Sequence, residues 1–324
     1  MRVLLCMAMF SCAAVVLQAQ NAQVSGLVLD ESRAVVPDAR VTAIQFATGV
    51  QRETKSNRDG VYTFVSLPPG KYQISVKATG FRVSDRELTL EVNQQGRLDF
   101  SLVVGSEEQR VTVSADALLL TTENAAVSTV VNRQMVANLP LNGRSVQALL
   151  ELAPGVVPVP AGPNNMGQYS VNGGRADSNY YTIDGVSANF GSSVSISPAS
   201  SYNGSTPAFG STGGSNNLVS LDALQEFRIQ TSTYAPEFGR SPGAQISLVT
   251  RSGTNSLHGT AFDYLRNDAF DANNWFANAS NLSKPAERQN DFGGTFSGPI
   301  LKDKTFFFFS YEGLRLRQPI VSQT

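Results

Sequence analysis

The stretch DFGGTFSGPILKDKTFFFFSYEGLRLRQ, residues 291–318, decides the fold. From Phe292 to Ile300 the even positions are Phe292, Gly294, Phe296, Gly298 and Ile300. The odd positions Gly293, Thr295, Ser297 and Pro299 hold no large apolar side chain. A period of two of this kind marks a strand with one face toward hydrocarbon and the other toward a polar lumen. A tight, charged turn, Leu301–Lys304, follows, then an aromatic run, Phe306–Phe309 with Tyr311. Aromatic side chains gather where a spanning strand crosses the membrane–water interface. Upstream, QEFRIQTSTYAPEFGRSPGAQISLVTRSGTN at 225–255 reads as a compact soluble pattern that gives way to the one suited to lipid.

Working outward, His258–Arg266 is expected to be a first strand and Asn267–Asn290 a long loop carrying Asn273, Asn274, Trp275 and Asn281. Phe292–Ile300 is the second strand, and Thr305–Arg315, continuing towards Arg317, the third. Long loops on one side and short turns on the other are the asymmetry of outer-membrane barrels. Three strands cannot close a barrel, so the chain is expected to be the front end of something larger. No segment beyond the amino terminus has the roughly 18 consecutive apolar residues of a membrane helix. A membrane span must therefore be built of strands in a closed barrel, since open edges leave backbone groups unsatisfied in lipid.

With 324 residues there is room for two or three units of ordinary size, and a formal net charge of -1 gives no reason to expect a nucleic-acid partner. Charged residues make up 16% of the chain, below the roughly 25% usual in soluble domains. Gly, Ser, Asn and Thr fill much of the difference, as suits turn-rich β structure. Arg2 followed by the apolar runs Val3–Phe10 and Ala13–Leu17 reads as a signal peptide, with cleavage expected after Ala19. Both cysteines, Cys6 and Cys12, lie inside it, which leaves no disulfide, thiol nucleophile or thiolate metal site in the rest.

Residues 23–104 alternate as short strands with regular turns. The turn signals are Asp59-Gly60 and Pro68-Pro69-Gly70, and the pattern points to a small β-sandwich. The V-x-G-x-V-x-D at 24–30, P-x-A-x-V at 37–41, D-G-x-Y-x-F at 59–64 and L-P-P-G-x-Y at 67–72 resemble the carboxypeptidase-regulatory-like domain. That resemblance implies a prealbumin-like sandwich grouped with carbohydrate-binding folds. Peptidase activity does not follow: the chain's one histidine, His258, lies far from this unit, and no zinc-binding cluster exists here. Sugar sites usually present exposed aromatics, and Tyr62, Phe64 and Tyr72 are equally suited to the core.

EEQRVTVSAD at 107–116 is a polar, extended linker around the β-branched Val111-Thr112-Val113. It reads either as a last strand of the sandwich or as a segment that pairs with the sheet edge of a partner. Its residues Glu108, Arg110, Val111, Thr112, Val113, Ser114 and Ala115 resemble the TonB box, which a receptor offers to the periplasmic TonB energy-coupling protein.

Residues 117–255 form a further unit. Helical spacing of Val146, Leu149, Leu150 and Leu152 ends at Pro154-Gly155, and Asn172-Gly173-Gly174 and Asp184-Gly185 mark turns. Ser187–Asn217 is a low-complexity stretch with little to bury, and Leu221–Phe227 is expected as a helix turn leading into the strand Phe227–Gln230. G-G-R at 173–175, I-D-G-V at 183–186, Q-E-F-R-I at 225–229, F-G-R-S-P-G-A-Q-I at 238–246 and V-T-R-S-G-T-N at 249–255 resemble the plug domain of TonB-dependent outer-membrane receptors. Phe238 stands where that family usually has a tyrosine, and Ala244-Gln245 replaces a Gly-Val-type pair. The motif residues Asn172, Gly173, Gly174, Arg175, Asp184, Gly185, Glu226, Arg240 and Gly243 are read as structural. The glycines do not form a phosphate loop, because no G-x-x-x-x-G-K-[ST] is present. Asp184 and Glu226 lack a supporting base or nucleophile, so they are not read as a catalytic pair.

The expected fold is mainly β: a prealbumin-like sandwich to residue 104, a linker at 105–116, an α+β plug at 117–255 and the first strands of an incomplete transmembrane β-barrel at 256–324. The resemblance implies uptake of an unidentified ligand, a glycan or other large substrate, across the outer membrane of a Gram-negative-type bacterium. It puts the sandwich and plug on the periplasmic side and the barrel among outer-membrane lipid. No catalytic residue, metal or cofactor is expected. The alternative is a secreted or cell-surface carbohydrate-binding or adhesion protein, which would account for the sandwich but not for the motifs at 171–186 and 238–255.

Overall fold

The computed structural model describes residues 20–105, 110–113, 126–139, 149–158, 169–175, 178–189, 219–234, 238–239, 241–273, 275–284, 286 and 288–317. The signal peptide, the helical spacing around Val146, most of the low-complexity stretch, and Glu108, Ser114, Ala115 and Arg240 lie outside the described residues. The chain divides into two compact units, residues 1–250 and 251–324.

The first unit begins with a β-sandwich. Its strands are β1 (Ala22–Asp30), β2 (Arg40–Gln45), β3 (Gln51–Lys55), β4 (Val61–Leu67), β5 (Gly70–Lys77), β6 (Val83–Leu90), β7 (Gln95–Arg97), β8 (Phe100–Leu102) and β9 (Arg110–Val113). One sheet runs β4-β1-β7 with β8 also on β1, and the other runs β3-β2-β5-β6-β9. Alternation fixes which side chains face inward: Tyr62 and Phe64 are buried while Val61 and Val65 on either side of them are exposed. Tyr62, Phe64, Tyr72, Ile74, Leu88 and Phe100 belong to one core between the sheets, so the aromatics weighed as sugar contacts are core residues. The Tyr62 hydroxyl donates to the Leu98 carbonyl at 2.6 Å, satisfying a buried polar group.

One strand, β3, was not separable by pattern, and another, β9, is the first of the two readings of the linker. β3, QRETK, has no apolar alternation; it exists because β2 pairs with it from Arg40↔Lys55 to Ile44↔Gln51 and Arg40 meets Glu53 at 3.2 Å. β9 is the middle of the expected linker, and it joins the sandwich as the outermost strand, parallel to β6 from Val83↔Arg110 to Arg86↔Val113.

The rest of the first unit holds β10 (Val127–Asn132), α1 (Arg133–Asn138), β11 (Val156–Pro158), β12 (Tyr169–Val171), β13 (Tyr180–Ile183), β14 (Val186–Ser187), β15 (Leu224–Ser232) and β16 (Gln245–Thr250). Asn132 caps α1, its side chain accepting from the Met135 backbone N–H. The sheet order is β10-β15-β16-β13-β14, with β13 parallel to β16 and the other neighbours antiparallel. The helix turn expected at Leu221–Phe227 is a single 3-10 turn, Leu221–Ala223. The strand then starts at Leu224 rather than Phe227, because Leu224 is fully buried and pairs with Thr250.

The second unit is an antiparallel sheet of β17 (His258–Asn267), β18 (Arg288–Leu301) and β19 (Thr305–Arg317), with a short helix, α2 (Trp275–Ala279), in the long loop. The period of two is present in the exposures: Phe296 is 51% and Ile300 71% exposed, while Thr295 and Ser297 beside them are 6% and 3%. Across the sheet Phe296 pairs with Phe309 and Gly294 with Tyr311, so β19 carries the same outward face. Thr260 and Thr295 hydrogen bond at 2.8 Å on the opposite, polar face, where Arg251 lies over Phe308. Among the described residues no helix is long and apolar enough to cross a membrane, which says nothing of crossing by strands.

Tyr62→Phe is expected to destabilise the sandwich by about 1 kcal/mol, read as a lower urea midpoint, because the Leu98 carbonyl loses its buried donor. Phe296→Arg should cost the assembled barrel roughly 2–4 kcal/mol if that face meets the bilayer midplane. Ser297→Ala, on the other face, puts no charge into lipid and should cost at most about 1 kcal/mol in the same detergent-to-bilayer folding titration.

Candidate functional site

β15 is two-faced. Phe227 and Ile229 are buried with Ile246 and Leu248 opposite them on β16. Glu226, Arg228 and Gln230 lie on the other face and are also buried, at 6%, 7% and 2% exposure, beside Gln245 and Ser247 of β16. A polar strand face normally meets water, and burying it requires partners for every charge. Here they come from the sandwich.

The turn Glu91–Gln94, between β6 and β7, is closed by Gln94 N–H donating to the Glu91 carbonyl at 3.2 Å, with Asn93 at a φ of 52°. It presents Val92, which is fully buried, to the face of β15. Glu226 Oε1 accepts the Val92 N–H, and Arg228 Nη1 donates to the Val92 carbonyl at 2.6 Å. The backbone of one residue is thus gripped at both its N–H and its carbonyl. Arg228 Nη2 also donates to Ser128 Oγ of β10 at 2.9 Å, and Asn93 Nδ2 to Ser247 Oγ at 3.2 Å. A second contact lies at Gln20: oriented with its amide oxygen toward Thr182 Oγ1 (2.8 Å) and the Gly185 N–H (3.2 Å), it donates to the Leu248 carbonyl at 3.0 Å. Burial pushes Glu226 up from 4.5 to about 7 and outweighs the Val92 N–H and Arg228, which act to lower it; the Glu91 carboxylate adds to the rise. Burial lowers the Arg228 guanidinium from its ordinary value, against the pull of Glu91 and Glu226.

The remaining motif residues build turns around this sheet. Asp184, at a φ of 48°, accepts from the Thr250 N–H at 2.9 Å and the Thr250 hydroxyl at 2.7 Å, tying the β13–β14 hairpin to the end of β16. Gly185 follows it at a φ of 84°. Asn172 Nδ2 donates to the Thr231 carbonyl at 2.9 Å across the Gly173-Gly174 turn, and the Arg175 carbonyl accepts from Ser178 Oγ at 2.5 Å. Gly243 passes so close to the next chain that a Cβ there would lie 2.3 Å from the Ser178 carbonyl. Of the predicted site residues, Glu226 alone belongs to the grip on the sandwich; Asp184, Asn172 and Gly243 secure its surroundings. Arg110 to Val113 lie apart from it, in β9. Arg228, Val92, Asn93 and Ser128 were not singled out from sequence. The available signal was the Glu-Phe-Arg-Ile-Gln alternation, which does not say whether its polar half meets water or protein.

Three family models match in succession. Residues 23–103 match the carboxypeptidase regulatory-like domain, residues 121–244 the TonB-dependent receptor plug domain, and residues 249–324 an outer membrane beta barrel domain. The TonB-dependent transporter Oar of Myxococcus xanthus is 28% identical over 307 residues, covering 90% of this chain. The chain spans 27% of the length of that relative. The siderophore receptor PirA of Acinetobacter baumannii is similar over 59% of this chain and 24% of its own, at 18% identity and a TM-score of 0.42. Hydroxyquinol 1,2-dioxygenase of Pseudomonas putida covers 26% of this chain and 56% of its own, at 12% identity and a TM-score of 0.23. Both structural scores are too low to carry an argument.

The Glu226 environment sets a pH dependence. Its folded pKa is raised above the unfolded value, so the stability it contributes is present in full below about pH 4.5 and is lost as pH rises through about 7. The unfolding free energy of the first unit, from urea titrations, should fall over that window by on the order of 3 kcal/mol, and Glu226→Gln should flatten the profile.

Proposed function

We propose that this chain, which joins a carboxypeptidase regulatory-like domain to a TonB-dependent receptor plug domain and the opening strands of an outer membrane β-barrel domain, serves active uptake across the outer membrane. The observation that carries this reading is the succession itself: the five-stranded plug sheet runs directly into an antiparallel sheet with one apolar and one polar face. Its likeness to a TonB-dependent transporter extends over 90% of the chain. Transport, not catalysis, is the work of that relative as its name describes it.

In this reading the barrel sits in lipid, the plug closes its lumen, and the sandwich lies in the periplasm. Cargo binds on the outer side, where the loop between β17 and β18 presents Phe270, Trp275 and Phe276 to solvent, with the Trp275 and Phe276 rings 5.1 Å apart. Such exposed rings suit a glycan or another large ligand with apolar faces. The segment Glu108–Ala115 is the TonB box. Its β9 portion is the last strand in its sheet, so one backbone edge is open to a further strand, which is how a periplasmic coupling protein would take hold. A pull there, powered by the inner-membrane proton gradient, would rearrange the plug and let cargo pass. Many polar contacts suit a part that has to move, since each is readily exchanged for water.

Cysteines placed one at a time at positions 110–113 of the full-length protein should form disulfide cross-links to a cysteine-bearing TonB in whole cells. Val111→Pro in that background should abolish them, because proline removes a donor from the pairing edge. Cross-linking that survives the proline, or recovery of the protein only in the soluble fraction, would overturn the reading.

A further inference from the structure

The contacts of Arg228 link three parts of the first unit that are distant in sequence. It holds the Val92 carbonyl of the sandwich turn, it holds Ser128 on β10, and it lies on β15 directly opposite Val130 of β10. β10 is an edge strand: β15 is its sheet neighbour on one side, and the chain leaving its amino end, 114–126, leads back to β9. The pairing begins at Val127↔Ser232 and Ser128↔Gln230. A force that peels β10 from that end would take Ser128 among the first residues to leave. Once it goes, the Arg228 guanidinium loses one of its two partners and opens to water, and the charge-assisted bond to Val92 is then exchanged for hydration.

We propose that Glu226 and Arg228 form a latch that holds the sandwich on the plug, and that stripping β10 from β15 releases it. The sandwich is then not a free accessory but a clamp on the plug sheet, locked while β10 is paired and let go when tension reaches Ser128. Several features of the site favour a latch over permanent cement. The grip is on the backbone of one residue, Val92, rather than on interlocking apolar side chains. It is made by charged groups, whose bonds are strong when dry and weak when wet. The strand whose loss would wet it is at the sheet edge. Identifying that tension with a coupling protein acting near residues 108–115 rests on the uptake reading above; the latch itself needs only the contacts.

The test is amide hydrogen exchange by mass spectrometry on the full-length protein in detergent, with no coupling partner or cargo added. In Glu226→Gln/Arg228→Met, exchange in peptides covering 88–96 should rise about tenfold or more. Peptides covering 72–78 in the sandwich core and 245–250 in the plug should keep their protection. In Ser128→Ala, which alters neither buried charge, exchange at 88–96 should rise by a smaller factor, about threefold, through the weakened guanidinium. Unchanged exchange at 88–96 in the double variant would show that the latch does not hold the sandwich. A rise there with wild-type behaviour in Ser128→Ala would remove β10 as the release. Should the double variant unfold the plug, seen as fast exchange at 245–250, the Ser128→Ala arm decides. Since no transport is measured, failure here leaves the uptake reading standing, and failure of the cross-linking experiment leaves the latch standing.

Discussion

The first unit depends on a requirement that buried peptide groups be paired. At Val92 the N–H and the carbonyl both point into protein, and their partners are the side chains of Glu226 and Arg228, 134 and 136 residues further along the chain. Burial disfavours the charged form of both side chains, each is helped by its bond to Val92, and the Val92 backbone would be unsatisfied without both. This mutual need fixes the sandwich turn against β15, and β15 in turn organises β10 and β16 on either side. The apolar face of the same strand supplies plug core through Phe227 and Ile229. One strand thus joins two domains by doing different chemistry on its two faces.

The fold was legible where alternation and turn chemistry agree. The Asp184-Gly185 hairpin and Phe296 against Thr295 and Ser297 could each be assigned from neighbours in sequence, whereas alternation put Tyr62 and Phe64 on one face of β4 without deciding between core and surface. β3 was not legible, since QRETK is held by pairing to β2 rather than by any apolar pattern of its own. The start of β15 at Leu224 was missed for a related reason: the pairing with Thr250 extends the strand past the point where local preference suggests a helical turn.

The site was harder to see than the fold. Glu226 was singled out as part of a motif and read as structural. Its actual partners are a backbone peptide and an arginine two residues on, and a backbone peptide carries no sequence signature. Arg228 and Ser128 look like ordinary solvent-facing positions of amphipathic strands. Alternation tells which residues share a face; only the docked turn reveals that this face is dry. The polar residues of the second unit are less ambiguous, because Thr260, Thr295 and Ser297 lie on the face away from Phe296, Phe309 and Tyr311.

The direction of β9 has a structural consequence of its own. The other neighbours in its sheet are antiparallel, as hairpin-linked strands can be, whereas β9 lies parallel to β6 and must arrive by a crossover. It is also outermost. Subtracting it would break no hairpin and split no pair among the four strands that stay. The domain therefore carries its borrowed strand the way a scabbard carries a blade, complete in outline whether the strand is home or drawn.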